Sequence, residues 1–204
     1  RETCESALYY FVRHAKMPIF WPESRLSVTQ CLKAKDCVNW SDAISAMLAS
    51  VKKYDVGAFT GEVSAQMLAE LHCKFVIIGH NERRRLQGET DEHVAQKFMA
   101  VQRANLVPIL CIGESLAQRE NGWHLEVIRR QLEAVFAHVG RDVFAKAVVA
   151  YEPVWAVGTG KTATPEQAQE VHKFIRSQLG GLAEEVRIFS LNNNLPEYRI
   201  KIRL

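Results

Sequence analysis

The chain has 204 residues, of which 48% are hydrophobic and 24% are charged, and its formal net charge is +3. This length and composition predict a single globular domain spanning residues 1–204 with a sizeable core. The nearly balanced charge, without any block of Lys or Arg, argues against a nucleic-acid-binding face, and no apolar run approaches the length of a membrane-spanning helix.

The cysteines and histidines bear on the cellular compartment and on cofactors. An odd number of cysteines without a C-x-x-C pair is typical of reduced, buried thiols, and with no visible targeting segment we expect a cytoplasmic protein. The histidines other than His80 lack the spacing of metal ligands, and we expect neither a metal nor a cofactor. The five cysteines are Cys4, Cys31, Cys37, Cys73 and Cys111.

The predicted strands are weak at first and become regular from residue 57 onward. Residues 17–21 and 37–40 are weak strand candidates. Continuous apolar runs then predict strands over residues 74–79, 106–112, 147–150 and 186–191. Runs that are apolar throughout, rather than alternating, are typical of buried strands in a parallel sheet.

Helices are predicted between these strands. Thr90 is a suitable N-cap for one helix, and a second is predicted from about Trp123. The run Thr164-Pro165-Glu166-Gln167 is a capping box with proline at the first helical position. Gly180-Gly181 is predicted to end that third helix.

The spacing of the strands predicts the fold class. Their starts near residues 74, 106, 147 and 186 lie 32, 41 and 39 residues apart. Repeating βα units of this size predict an α/β fold with a parallel sheet. The pattern alone leaves open whether the sheet is a closed barrel or doubly wound.

Two segments contain the residues with catalytic chemistry. Glu152 directly follows the strand 147–150, within Ala150-Tyr-Glu-Pro-Val-Trp-Ala-Val-Gly-Thr-Gly-Lys-Thr-Ala163. A carboxylate at a strand's carboxyl end, beside a glycine-bearing loop, is typical of a general base under a lid. The second segment is Val76-Ile-Ile-Gly-His-Asn-Glu-Arg-Arg84, in which His80 ends a strand and residues 81–85 can begin a helix. Taken alone, each residue would be interpreted as an ordinary polar group at a strand end.

Both segments resemble the triosephosphate isomerase family, and so do Gly57-Ala-Phe-Thr-Gly-Glu62 and Cys111-Ile-Gly-Glu114. The four motifs occur in order within about two thirds of the chain, from residue 57 to 188. The resemblance implies a (β/α)8 barrel, the TIM barrel, with its site at the carboxyl ends of the strands. It also implies isomerisation of glycerone phosphate and D-glyceraldehyde 3-phosphate through an enediol(ate).

The resemblance assigns the residues that contact the substrate. It implies Glu152 as the general base and His80 as the electrophile that polarises the substrate carbonyl. It places the backbone N–H of Gly158 against the substrate phosphate, where a glycine permits close approach. Simple loop flexibility is the alternative interpretation of Gly158.

Further residues receive supporting roles from the same resemblance. Glu82 and Cys111 would lie near the site, and Arg83 would be structural. An ordinary buried ion pair is the alternative for Glu82 and Arg83. Phe59 and Thr60 belong to the loop that reaches the neighbouring subunit in this family, so a homodimer is implied.

The chain also departs from the family pattern. The Asn-x-Lys of the family's first strand occurs nowhere, and the glycine-rich phosphate turn expected after the seventh strand is replaced by Phe189-Ser-Leu-Asn-Asn-Asn194. These departures predict a barrel that is truncated or altered at both ends, with the activity of this exact chain in doubt. The alternatives are a catalytically inactive fragment or pseudoenzyme that pairs with an intact partner, and a different phosphate-handling barrel.

Overall fold

The computed structural model describes residues 62–156, 159 and 161–190. Its centre is a parallel four-stranded sheet whose spatial order follows the chain. The register places Ile77 beside Ile109 and Ile109 beside Val148. The strands are Phe75–Ile78 (β1), Val107–Ile112 (β2), Val148–Tyr151 (β3) and Arg187–Ser190 (β4).

The helices lie between the strands in sequence, and three of them are long. Short 3-10 turns cover Asp142–Lys146, Val154–Ala156 and Gly180–Leu182. The α-helices are Ala65–Glu70 (α1), Asn81–Leu86 (α2), Asp91–Arg103 (α3), Leu116–Glu120 (α4), His124–Val139 (α5) and Pro165–Leu179 (α6).

The strand order decides between a closed barrel and a doubly wound sheet, the two architectures that the βα repeat allowed. Each connection moves one strand further in the same direction, from β1 to β4. A doubly wound sheet reverses direction at a switch point, and these four strands contain no reversal. The described part of the chain therefore has the repeated βα topology of a (β/α)8 barrel, which confirms the predicted fold class.

Side chains alternate between the two faces of the sheet, as they must in extended backbone. Ile78, Leu110 and Tyr151 point outward into the core that the helices cover. Ile109, Cys111, Val148 and Ala150 form a separate inner cluster on the opposite face. The same alternation directs residue 152, two positions after Ala150, toward the inner face at the strand's carboxyl end.

Side-chain caps mark where two of the three long helices begin. Thr90 caps α3 and Thr164 caps α6, each through a capping box, and Pro165 occupies the first turn of α6. Gly180, with a φ of 60°, ends α6. These features confirm the predicted caps, because each signal is local and needs no distant partner.

The predicted strands agree with the observed ones to within one residue or two. The helix expected from about Trp123 begins at His124. The short helices α1 and α4 were not predicted, because five or six residues hold too few turns for a periodic pattern. The candidates at 17–21 and 37–40 lie outside the described residues. Within the described residues, no helix is long and apolar enough to cross a membrane.

Candidate active site

Glu152 is positioned by backbone contacts with the end of the neighbouring strand. Its N–H donates to the Ile112 carbonyl at 2.8 Å, so the β2–β3 ladder continues one step past β3. Pro153 has no N–H, and the next donor, the N–H of Val154, reaches the Glu114 carbonyl at 3.2 Å. The backbone on both sides of the Glu152 side chain is therefore fixed to the end of β2.

Gly113 makes this close approach possible. A Cβ atom at position 113 would lie 1.8 Å from the Glu152 carbonyl oxygen, so no larger residue fits there without moving the backbone. The Gln131 side chain of α5 binds both backbone groups of Gly113, accepting from its N–H at 2.9 Å and donating to its carbonyl at 3.1 Å. The buried side-chain amide of Gln131 therefore fixes Gly113, against which the Glu152 carbonyl packs.

His80 is positioned by the turn that leaves β1. Gly79 has a φ of 69°, a left-handed conformation that favours glycine, and Arg84 Nε donates to its carbonyl at 2.7 Å. His80 follows as the N-cap of α2. Its Nδ1 accepts from the backbone N–H of Glu82 at 3.4 Å, which leaves Nε2 as the nitrogen that faces the site.

The two predicted catalytic residues meet although β2 separates their strands. His80 Nε2 lies 2.9 Å from Glu152 Oε1. The other carboxylate oxygen, Oε2, accepts from the backbone N–H of Asn81 at 3.0 Å and lies 3.5 Å from its side-chain Nδ2. Glu152 is 2% exposed and His80 is 6% exposed, so the pair is almost completely shielded from water.

The electrostatics of the pair favour charge on the imidazole while the two groups touch. Burial lowers the pKa of His80, but the contact with the Glu152 carboxylate and the charges of Glu152 and Glu82 outweigh it and raise the pKa above its usual value. Apart from His80 Nε2, no group of the described residues binds Oε1. That oxygen keeps acceptor capacity for a proton.

A second buried carboxylate holds the segment after Glu152. Glu114 Oε1 accepts from the Tyr151 hydroxyl at 3.0 Å and from the Trp155 indole N–H at 2.8 Å. Burial and the charge of Glu114 raise the pKa of Tyr151, so its hydroxyl remains a donor. The segment from 152 to 155 is therefore attached to β2 by both backbone and side-chain bonds.

The supporting residues have different positions. Glu82 Oε2 lies 3.9 Å from His80 Nδ1, so Glu82 contacts the site. Arg83 forms an ion pair with Glu89, which also binds Lys97, in agreement with the structural interpretation of Arg83. Cys111 is buried in the inner cluster, in register with Ala150.

Three of the predicted site residues, Gly158, Phe59 and Thr60, lie outside the described residues. The structure also adds contacts that sequence patterns did not assign: Asn81 on the carboxylate, Gly113 beneath it, and Trp155 on Glu114. The available signals were the position of Asn81 beside His80 in one motif of the family resemblance and the position of Gly113 and Glu114 in another. Neither signal indicates which partner each of these residues contacts.

The uniform order of the four parallel βα units, with the candidate residues at the carboxyl ends of the strands, is typical of the (β/α)8-barrel class of proteins. Within that class, the sequence model of the family described as triosephosphate isomerase matches residues 25–190. The chain belongs to the triosephosphate isomerase family.

Individual relatives agree with the family match. The chain is 62% identical to the triosephosphate isomerase of Thiobacillus denitrificans over 133 residues, which are 65% of this chain and 54% of that protein. It is 56% identical to that of Nitrosomonas europaea over 143 residues, 68% of this chain and 57% of the relative. With the protein from Nitrosococcus oceani, identity is 46% over 178 residues, 85% of this chain and 69% of the relative. The chain thus spans little more than half the length of the first two.

Proposed function

We propose that this chain interconverts glycerone phosphate and D-glyceraldehyde 3-phosphate, the reaction implied by the name of its relatives. The observation that carries the proposal is the buried 2.9 Å contact between Glu152 Oε1 and His80 Nε2 at the carboxyl end of the sheet. A base and an electrophile on opposite sides of one small site are what proton transfer between adjacent carbons requires.

In the proposed mechanism, the triose enters between the two side chains. Glu152 Oε1 removes a proton from the carbon next to the carbonyl, and the electron pair of the broken C–H bond forms the enediol(ate) double bond. The same carboxyl group returns the proton to the adjacent carbon. His80 Nε2 gives its proton to the former carbonyl oxygen and takes one from the neighbouring hydroxyl, so the first becomes a hydroxyl and the second a carbonyl. No atom is gained or lost overall.

His80 supplies the partial positive charge that the developing oxyanion needs. Its Nε2 faces the site, and the N–H of Glu82 occupies Nδ1 as an acceptor, which suits a ring with its proton on Nε2. A substrate that separates His80 from Glu152 removes the contact that raises the imidazole's pKa. The ring then donates to the substrate carbonyl as a neutral hydrogen-bond donor, and burial strengthens that interaction.

The rest of the assignment belongs to the same proposal. Gly158 binds the substrate phosphate through its backbone N–H, and a triose phosphate handled in this way belongs to glycolysis and gluconeogenesis. A cytoplasmic location belongs to the same proposal, because an odd number of cysteines without a C-x-x-C pair is typical of proteins from a reducing compartment. The inactive-fragment alternative receives no support from the relatives, which carry the name of the isomerase.

A homodimer is the proposed assembly. Phe59 and Thr60 would reach the partner's site, and α1 follows that loop directly. Met67 and Leu71, four residues apart at one side of α1, are 50% and 41% exposed. An apolar pair at this level of exposure, next to the proposed intersubunit loop, supports a contact with a second copy.

The reaction is tested with chain purified from a host that lacks its own isomerase. We expect turnover of glyceraldehyde 3-phosphate, and Glu152→Gln should lower kcat by roughly 10²–10⁴ with little change in KM, because only the base is lost. Glu184→Gln, which changes an exposed carboxylate in the turn before β4, is the matched control and should keep parental turnover. Failure of the parent chain to turn over, or parental kcat with Gln at 152, would contradict the proposal.

A further inference from the structure

The proposed mechanism assigns no role to one buried carboxylate, that of Glu114. Glu114 is 0% exposed, and its Oε1 binds two neutral donors, the Tyr151 hydroxyl and the Trp155 indole. Its Oε2 has no hydrogen-bond partner among the described residues. A buried carboxylate needs a cation nearby as well as hydrogen bonds, because neutral donors alone do not replace the water it has lost.

Arg119 of α4 provides that cation. Its Nη1 lies 3.5 Å from Glu114 Oε1, and its guanidinium carbon lies 6.0 Å from the centre of the Trp155 ring. Nη1 is itself buried without a hydrogen-bond partner in the described part of the chain. The guanidinium therefore contacts the Glu114 carboxylate, lies over the Trp155 ring, and has a donor still available for the carboxylate.

Arg119 is held in this place from a second side. Its Nη2 donates to Glu170 Oε2 of α6 at 3.0 Å, and His124 Nε2 of α5 lies 3.3 Å from Glu170 Oε1. Ser115 caps α4 through a capping box, which sets the direction of this short helix. Three helices thus position one guanidinium beside the buried carboxylate.

We propose that Arg119 is a positioning residue for the Glu152 base, acting through Glu114 and Trp155. The guanidinium neutralises the Glu114 carboxylate, and the carboxylate then holds the Trp155 indole while the Glu114 carbonyl holds the Val154 N–H. Both bonds fix the segment that begins at Glu152. The inference rests on the proposed function for its catalytic consequence, but the contact between Arg119, Glu114 and Trp155 does not depend on that function.

The loss of the guanidinium should have a specific effect. An unneutralised carboxylate at this depth must turn toward water or take up a proton, and either change weakens its bond to the indole. The segment from 152 to 155 then becomes less well fixed, and a base that is misplaced by a fraction of an ångström loses rate rather than substrate affinity. We therefore expect kcat to fall while KM stays close to its parental value.

The test uses the full chain with Arg119→Met, Arg119→Gln and Arg119→Lys. The indole N–H resonance of Trp155, assigned by its absence in Trp155→Phe, reports the hydrogen bond directly. In the Met and Gln variants we expect this indole proton to resonate further upfield and to exchange faster with solvent. We also expect kcat to fall on the order of 10-fold, with KM changed less than about 3-fold. Lysine should restore most of both signals because it keeps the charge.

Arg129→Met is the matched control, since Arg129 pairs with Glu126 and Glu133 on the exposed side of α5 and should leave both readouts unchanged. An unshifted Trp155 indole in whichever of the two uncharged variants folds would overturn the proposal. So would equal losses in the lysine variant, since that would indicate packing rather than charge. If the parent chain shows no isomerisation, the proposed function fails, and the indole resonance still decides the role of Arg119.

Discussion

At the scale of single residues, the candidate site depends on one glycine as much as on the two side chains that we propose to be reactive. Glu152 and His80 were predictable as residue types, because each directly follows an apolar strand. The packing of the Glu152 carbonyl on Gly113 was not, since a glycine after a strand has many possible reasons. The general rule is that a reactive side chain can be recognised locally, whereas the surface that supports it comes from another strand.

We predict that Gly113→Ala impairs catalysis and stability together. The added Cβ would lie 1.8 Å from the Glu152 carbonyl oxygen and 2.8 Å from its carbonyl carbon, and backbone atoms cannot rotate away as a side chain can. A displacement of about 1 Å at the base is expected to lower kcat about 100-fold. Steady-state kinetics and thermal unfolding measure the two effects.

Gly181→Ala is the control for that substitution. A Cβ at position 181 meets no atom within 4 Å, so kcat and the melting temperature should both stay at the parental values. Parental kcat in Gly113→Ala would show that the β2–β3 contact does not position the base.

At the scale of secondary-structure elements, the features that neighbouring residues encode were predicted, whereas contacts between distant residues were not. The caps at Thr90 and Thr164 involve residues three apart and were predicted. The contact between α6 and β4 was not predicted. In it, His172 Nε2 lies 2.8 Å from Ser190 Oγ, and the His172 ring meets that of Tyr151 edge to face with 6.3 Å between the ring centres. His172 follows Val171 in the buried stripe of α6, and nothing in that pattern shows what lies opposite.

We predict that His172 makes stability depend on pH. Burial, followed by the charge of Arg176, lowers the pKa of His172 from 6.5 to about 4. Between those values the unfolded chain binds more protons than the folded one, so this stabilisation is complete above pH 6.5 and is lost as the pH falls toward 4. The loss between pH 7.5 and pH 5 is about 2 kcal/mol in the free energy of unfolding.

Urea unfolding at the two pH values tests this dependence in the parent chain and in His172→Gln. The variant should lose less stability on acidification. The pKa of His80 is raised, so His80 contributes with the opposite sign, but it is present in both proteins and cancels in the comparison. His72→Asn is the control, since His72 is exposed in the turn before β1. An identical pH dependence in parent and His172→Gln would contradict the assignment.

At the scale of the whole molecule, the order of the strands was the undecided point. The spacing of the βα units predicted a parallel sheet and allowed two architectures. Only the observed pairing of β1 with β2, β2 with β3 and β3 with β4 selects the barrel topology. Strand order is a property of the assembled sheet, because the repeat length is similar in both architectures.

We predict that Met67→Lys shifts the protein from dimer to monomer. A lysine in the proposed interface would bury an unpaired charge against the second copy, whereas it is harmless on a free surface. Sedimentation velocity over a range of concentrations should show a dimer for the parent and a lighter species for the variant. Trp123→Lys replaces an apolar residue at the start of α5 that is more exposed than Met67, and it should leave the parental assembly unchanged. A parent chain that sediments as a stable, active monomer would count against the homodimer.

The sequence by itself determined which residues end the strands, which residues cap the long helices and which family pattern the chain follows. All of these are encoded by neighbours along the chain, through apolar runs and residue types at short spacing. The tertiary structure alone decided the contacts between Asn81 and Glu152, 71 residues apart, and between Glu114 and Trp155, 41 residues apart. Pairs of this kind form only when parallel strands bring their carboxyl ends to one edge of the sheet, and no local pattern records which two ends will meet.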